Sequence, residues 1–206
     1  MEATLSLPIS MEERAQMDAG EIRIPASYED FIAMLADCEF PIEYDKDEII
    51  IMSIASDRHE QIVANIIFLL VGLLRGNDNF KRYGSNRHVF IEKLTKAYSP
   101  DASVAKGVPQ PHTYALGKEA YTNPWLVVEV LSPSSVLRDM GDKLVAYKTI
   151  PSLQYILYIS QDTPAVTLYS RIDEQRWQST DFNASSPNIE MGAFTISVLD
   201  IYENLD

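Results

Sequence analysis

Cysteine is almost absent from this sequence of 206 residues, which contains only Cys38. A single cysteine excludes a disulfide bond within the chain, and nothing in the composition points to an oxidising compartment. The longest apolar run, within a helix predicted after residue 57, is too short to span a bilayer. The acidic N-terminus lacks the basic segment and apolar core of a secretory signal. We therefore expect a soluble cytoplasmic protein with no membrane partner.

Basic residues are also scarce: 17 Lys and Arg stand against 30 Asp and Glu, which gives a net charge of -13 at pH 7. Such a charge opposes binding to nucleic acid, so a phosphate-bearing partner must be met by a local basic patch or by metal ions. The densest basic group is Lys81, Arg82 and Arg87, which could contact phosphates or keep an edge strand soluble.

The length and the 46% hydrophobic content suit one domain with an added arm. Residues 1–25 have weak periodicity and are predicted to form a loose N-terminal arm, followed by a single domain over residues 26–206. The arm has an uncharged apolar stretch from Leu5 to Ile9, and several late strands need edge protection. These features predict a homodimer.

The first regular elements carry clear local signals. Ser27 and Asp30 have the spacing of a capping box at the start of a helix over residues 28–37. Two short strand patterns over residues 40–54, joined at Asp45-Lys46-Asp47, predict a hairpin.

A second helix is predicted over residues 58–75, where Asp57 and Glu60 have capping-box spacing. It is apolar nearly all round, which predicts burial within the domain. Residues 108–123 are predicted to form a loop. Further strands are predicted over residues 81–84, 88–92, 98–105, 125–131, 154–160, 165–171, 176–181 and 193–197. The fold class predicted is α/β (α+β mixed), a mixed sheet flanked by helices.

One acid interrupts the most apolar strand. Residues 125–131 read as a strand buried on both faces, and Glu129 lies within it. A carboxylate there is costly unless it is paired or holds a metal. The helix predicted next carries Asp139, Lys143 and Tyr147 at steps of four, on one face. These residues have two interpretations. They form a catalytic group, or they are structural: Glu129 is then a core residue in a salt bridge, Asp139 a helix cap and Lys143 part of a surface ion pair.

A second acid, Asp101, follows Pro100 at the start of another predicted strand. If the strands of Asp101 and Glu129 are neighbours, the two carboxylates lie close together and require a cation to remain ionised. Two carboxylates with waters and phosphate oxygens suit Mg²⁺, with Mn²⁺ as a substitute. A nearby lysine can orient or deprotonate an attacking water, which predicts metal-assisted phosphodiester hydrolysis.

Five segments carry a family resemblance: Ile49 to Ser53 followed by His59, Pro100-Asp101, Val128 to Ser134, the spacing Asp139-x-x-x-Lys143-x-x-x-Tyr147, and the strand predicted from Tyr155 to Ser160. In this order they resemble the Uma2-type restriction endonuclease family, a branch of the PD-(D/E)XK nuclease superfamily, over roughly residues 28–205. The resemblance implies a restriction-endonuclease-like central mixed sheet flanked by helices. It also implies that Asp101 and Glu129 bind metal and that Lys143 is the active-site lysine, moved from the strand position now held by Leu131.

The predicted catalytic residues are Asp101, Glu129, Lys143 and His59, and the predicted metal ligands are Asp101, Glu129 and Val130. His59 has a structural role as its alternative. Other residues are interpreted less strongly: Glu43 as solvated or salt-bridged, with a place in the metal shell as its alternative, Tyr147 as core, and Lys106 and Lys148 as substitutes for Lys143.

The predicted function is a Mg²⁺-dependent endonuclease acting on DNA, with Lys143 activating water. One rival is a catalytically silent nuclease-fold protein that serves as a binding or regulatory partner, which the net charge favours. A second rival is a structural assembly protein paired through its N-terminal arm.

Overall fold

The computed structural model describes residues 10–17, 20–114, 119–132 and 136–205. The helices are α1 (Met11–Ala15), α2 (Tyr28–Asp37), α3 (Asp57–Leu73), α4 (Val136–Arg138), α5 (Leu144–Lys148) and α6 (Val198–Ile201). The strands are β1 (Glu21–Pro25), β2 (Glu43–Asp45), β3 (Glu48–Met52), β4 (Phe80–Gly84), β5 (Val89–Ile91), β6 (Lys96–Tyr98), β7 (Ala102–Lys106), β8 (Pro111–Thr113), β9 (Glu119–Tyr121), β10 (Pro124–Leu131), β11 (Tyr155–Ser160), β12 (Ala165–Arg171), β13 (Trp177–Asn183), β14 (Asn188–Met191) and β15 (Phe194–Ser197).

The strands form two large mixed sheets and one small hairpin. The six-stranded sheet has the order β13-β12-β11-β10-β7-β4, in which β10 and β11 are parallel. The seven-stranded sheet has the order β1-β3-β2-β6-β5-β9-β8, in which β5 and β9 are parallel. The α/β mixed class is therefore confirmed, with strands divided between two sheets where the sequence predicted one.

The local signals near the N-terminus produce the predicted elements. Ser27 and Asp30 form the capping box of α2. Strands β2 and β3 pair as a hairpin around Lys46 and Asp47, both of which have positive φ values of 53° and 58°. Two left-handed residues give a turn whose twist matches that of the strands it joins.

Helix α3 is buried on one side only. Its N-cap is Ser56, whose hydroxyl accepts from the His59 amide, rather than the predicted Asp57. Ile62 and Ile66 pack into the core, whereas Phe68 on the opposite side is 75% exposed. The prediction of burial all round is therefore wrong in part, because only one face of this helix meets the six-stranded sheet.

The core that positions the site lies between the two sheets. Tyr98 and Tyr121 of the seven-stranded sheet pack with Val127 and Ile156 of the six-stranded sheet and with Tyr147 of α5. Each of these side chains is fully buried. This core holds β10 and α5 against β6 and β9.

The N-terminal segment is attached to the domain where it is described. Strand β1 pairs antiparallel with β3, and the Arg14 guanidinium of α1 donates to the carbonyls of Met52 and Ser53 at 2.8 and 3.0 Å. The weak periodicity predicted a loose arm over residues 1–25, but these contacts place residues 21–25 within a sheet. Residues 5–9, predicted to pair two copies, lie outside the described residues.

The predicted loop over residues 108–123 contains two short strands. Strand β9 pairs with β5, and the Tyr121 amide donates to the His88 carbonyl at 3.0 Å. Three-residue strands are too short to give a period-2 signal, which is why the sequence did not reveal them. Within the described ranges, no helix is both long enough and apolar enough to cross a membrane.

Candidate active site

The two predicted metal-binding acids come from neighbouring parts of the six-stranded sheet. Strand β7 pairs antiparallel with β10, with Ala102 opposite Val128; Asp101 directly precedes β7, and Glu129 follows Val128 in β10. The Asp101 Oδ2 atom accepts a hydrogen bond of 2.7 Å from the Val130 amide. Both acids line one cavity. The predicted pairing of the two strands is confirmed, while the catalytic and metal-binding roles of the acids stay predictions.

Lys143 points its amine at the acids. Its Nζ lies 2.8 Å from Glu129 Oε1, 3.0 Å from Glu43 Oε1 and 3.5 Å from Asp139 Oδ1. Lys143 is only 3% exposed, so the interpretation of a surface pair is wrong. The amine therefore lies between two strands, β2 and β10, that belong to different sheets.

A distortion in the helix accompanies this position of Lys143. Helix α4 continues into a π-helical turn over Asp139–Lys143, where Gly141 has φ -99° and ψ -105°, and then into α5. Asp139 was predicted as the helix cap, but the chain is already helical from Val136 and its carboxylate faces Lys143 instead. Single π-turns within helices are frequent at functional sites.

Glu43 and Arg138 complete the charged cluster. Glu43 is 3% exposed; one oxygen meets the Arg138 guanidinium and the other accepts from the Ser99 amide at 2.8 Å. Arg138 also meets Glu21 of β1 at 2.7 Å. Of the three interpretations of Glu43, the salt-bridged one is confirmed, the solvated one is wrong, and a place in the metal shell stays a prediction. No role was predicted for Arg138, and its position beside Asp139 was the signal available.

The charges of the cluster are set by burial and by pairing. Burial raises the pKa of Glu129 to about 8, against the opposing attraction of Lys143. Burial would also raise the pKa of Glu43, but Arg138 and Lys143 lower it to about 2. Burial opposes protonation of Lys143, yet Glu129 and Glu43 raise the pKa of its amine above the ordinary value. At neutral pH the lysine is protonated, Glu43 is ionised and Glu129 is largely neutral.

Two buried tyrosine hydroxyl groups also donate hydrogen bonds to residues of the cluster. The Tyr147 hydroxyl donates to Glu129 Oε1 at 2.7 Å, and burial raises the pKa of this tyrosine. The Tyr158 hydroxyl donates to the Asp139 carbonyl at 2.5 Å. Tyr147 is a core residue, as predicted, and its hydroxyl orients the carboxyl group of Glu129.

His59 faces the same site from the first turn of α3. Its Nε2 lies 3.5 Å from Asp101 Oδ2, and its Nδ1 lies 3.6 Å from Glu60 Oε1. Burial opposes protonation of the imidazole, but Asp101 and Glu60 raise its pKa above the ordinary value. His59 therefore lies where the site-facing interpretation placed it, and its role stays a prediction.

These groups share one cavity of about 790 Å³, which is bounded by both sheets, α1, α3 and α4. Asp101, Glu129, Val130, Lys143 and His59 all line it. The other predicted cations are engaged elsewhere in the described structure. Lys148 and Lys106 lie over aromatic rings, Arg82 donates to a main-chain carbonyl, and Arg87 pairs with Glu119.

The donor set fits Mg²⁺ on chemical grounds. Across the ranges that the structure describes, no group of three or more His, Cys, Asp or Glu side chains is arranged to hold a metal ion. Mg²⁺ needs fewer protein ligands, because it keeps several waters and is bound through one or two carboxylates plus substrate phosphates. Asp101 and Glu129 are two carboxyl groups that line one cavity, and their role as metal ligands stays a prediction.

Three comparisons place the chain among known proteins. Residues 28–198 match the Uma2 family, described as "Putative restriction endonuclease". The uncharacterized protein sll1609 of Synechocystis sp. is 30% identical over 154 residues, covering 75% of this chain and 85% of that protein. A second uncharacterized Synechocystis protein, slr1290, is 31% identical over 143 residues, covering 69% and 73% respectively.

The fold also has a counterpart among solved structures. A crystal structure from Anabaena variabilis, described as "a putative nuclease belonging to DUF820", superposes with a TM-score of 0.62. The match covers 86% of this chain and 98% of that one at 16% identity, which shows a shared fold. The resemblance carried by the sequence motifs is confirmed by the match over residues 28–198, and the chain belongs to the Uma2 family of restriction-endonuclease type.

Proposed function

We propose that this protein is a Mg²⁺-dependent endonuclease that hydrolyses phosphodiester bonds in DNA. The observation that carries the proposal is that Asp101 and Glu129 line one cavity, with the Lys143 amine 2.8 Å from Glu129. Membership of the Uma2 family supports a nuclease-like function independently of this geometry.

Asp101 and Glu129 would hold the metal ion, and Val130 could add only a main-chain oxygen. When bound, Mg²⁺ supplies a Lewis acid for a phosphoryl oxygen and lowers the pKa of a bound water. Glu129 is largely neutral at pH 7 because burial raises its pKa to about 8. Loading of the site therefore requires Glu129 to release a proton, and metal affinity should rise with pH.

Lys143 acts in this proposal as a fixed positive charge. Its pKa is raised by Glu129 and Glu43, so the amine stays protonated and does not serve as a general base. A protonated amine that points into the cavity can orient the attacking water and stabilise the negative charge that develops on the phosphate. The sequence predicted that Lys143 activates water; in this proposal it does so only through its positive charge and not by removing a proton.

Glu43 and Arg138 position the lysine rather than act on substrate. Glu43 accepts from Lys143 at 3.0 Å and is itself held by Arg138 and the Ser99 amide. His59, 3.5 Å from Asp101, is placed to orient that carboxylate. These supporting residues thereby fix the side chains of Lys143 and Asp101. Residues around metal ligands commonly orient them in this way.

The test is cleavage of supercoiled plasmid and of labelled oligonucleotides with Mg²⁺, with Mn²⁺ and with a chelator. We expect cutting with either metal, none with the chelator, and none by Asp101→Asn. Asp162→Asn, an exposed carboxylate in a turn, is the matched control and should cut as the wild type does. Failure of the wild type on every DNA form would favour the catalytically silent, regulatory interpretation.

A further inference from the structure

The reactive groups lie well below the protein surface. Glu129 is 4% exposed, Lys143 and Asp139 are equally buried, and Asp101 is the outermost acid of the pair. A phosphate that reaches both Asp101 and Glu129 must therefore enter the cavity together with the sugars attached to it.

The cavity is too small for paired strands. A cube of its volume, about 790 Å³, has an edge of about 9 Å, which is less than the combined depth of the two grooves of B-DNA, roughly 8.5 and 7.5 Å, that a duplex spans. Walls from both sheets and from α3 surround it, with Met52, Ser56 and Val130 among the lining residues. A single strand can enter such a space, whereas a duplex can present only its outer phosphates at the opening.

The wall beside the acids is suited to the face of a base. Met11, Phe40 and Ile54 line the cavity, and Ile54 is 50% exposed although it is a large apolar residue. Ser85 and Asn86 line the same cavity and offer polar atoms to the edge of a base. Unpaired bases bind through their flat faces to apolar and aromatic side chains with little dependence on sequence.

The charge distribution does not favour binding of double-stranded DNA. Duplex binders depend on a basic stripe that follows many phosphates, but this chain has a net charge of -13. Arg82 and Arg87 donate to groups of the protein itself, and Arg138 is enclosed by Glu21 and Glu43. Contacts to bases must therefore contribute a larger share of the binding.

We propose that the cavity accepts an unpaired DNA strand, a single-stranded segment or end, with Ile54 contacting a base beside the cleaved phosphate. Cleavage of the bound strand rests on the proposed nuclease function. Binding of the strand rests on the cavity alone.

The experiment compares one labelled oligonucleotide sequence as a single strand and as a duplex. Fluorescence anisotropy with a chelator present measures binding, and gel analysis with Mg²⁺ measures cleavage. We expect the single strand to bind and to be cut with a preference of about tenfold or more. Ile54→Ser should reduce that preference. Ile172→Ser is the matched control, since Ile172 is 53% exposed and is not among the cavity residues, and it should leave the preference unchanged.

Each outcome bears on one proposal separately. If the duplex is bound and cut as well as the single strand, the inference is wrong and the nuclease function stands. If no DNA is cut but the single strand is bound preferentially and Ile54→Ser weakens that binding, the inference holds and the nuclease function is wrong. Equal effects of Ile54→Ser and Ile172→Ser would also overturn the inference.

Discussion

Replacing Glu129 with glutamine tests the charge state of the buried acid directly. Glutamine keeps an oxygen that can accept from Lys143 and Tyr147, the two donors that meet Glu129 at 2.8 and 2.7 Å. Glutamine cannot ionise, so the variant lacks the titration of the Glu129 carboxyl group. Any difference between the two proteins that depends on pH therefore reports on ionisation rather than on packing.

The size of the effect follows from the displaced pKa. The Glu129 carboxyl has an ordinary pKa of 4.5, which burial raises to about 8 in the folded protein. Between these values the folded protein holds one proton more than the unfolded chain, so stability falls by about 1.4 kcal/mol per pH unit. From about pH 5 to about pH 8, Glu129 should remove up to about 4 kcal/mol of unfolding free energy. Glu129→Gln should lack this loss.

The assay is chemical denaturation at a series of fixed pH values for the wild type, Glu129→Gln and the control Glu190→Gln, which changes an exposed residue of β14. We expect the wild-type and Glu190→Gln profiles to be parallel. The Glu129→Gln profile should gain stability relative to both as pH rises. Parallel profiles for all three proteins would refute the assignment of a raised pKa to Glu129.

Lys143→Ala should abolish cleavage and also lower the unfolding free energy by about 3–5 kcal/mol, because it removes a buried cation that pairs with Glu43 and Asp139. Denaturation and nicking assays check this, and Lys148→Ala should leave cleavage unchanged. Mg²⁺ affinity, measured by calorimetry, should rise between about pH 6 and about pH 9 as Glu129 loses its proton, and a flat profile would contradict its role as a ligand. The predicted homodimer should appear in light scattering at micromolar concentration, and Phe68→Glu should yield the monomer mass if the exposed face of α3 forms the contact; a monomeric wild type would contradict the dimer.

Local signals were enough for much of this fold. The capping box at Ser27, the hairpin around Lys46 and Asp47 and the apolar strand β10 each depend on a few neighbouring residues, and each is found where the pattern indicated. The sequence predicted that Asp101 and Glu129 lie close together because each is an acidic residue in an apolar segment. A carboxylate in an otherwise apolar segment is unexpected, and this indicated that the two residues belong to a site.

The rest of the site depends on residues that are distant in the chain. Glu43 and Arg138 are separated by 95 residues and meet only because the fold brings β2 and α4 together. No periodicity encodes that meeting. The one-sided burial of α3 escaped prediction for a related reason: composition shows how apolar a helix is, but the neighbouring elements decide how many of its faces are covered.

The charged cluster links four parts of the chain through side chains: Glu21 of β1, Glu43 of β2, Glu129 of β10 and, between them, Arg138 and Lys143. Dissolved ions screen exposed charges within about 8 Å at physiological ionic strength, but they screen buried pairs far less. Salt should therefore weaken exposed ion pairs, such as the one between Lys46 and Asp142, while leaving these internal pairs intact. A high-salt wash during purification should leave the contact between these four parts of the chain unchanged.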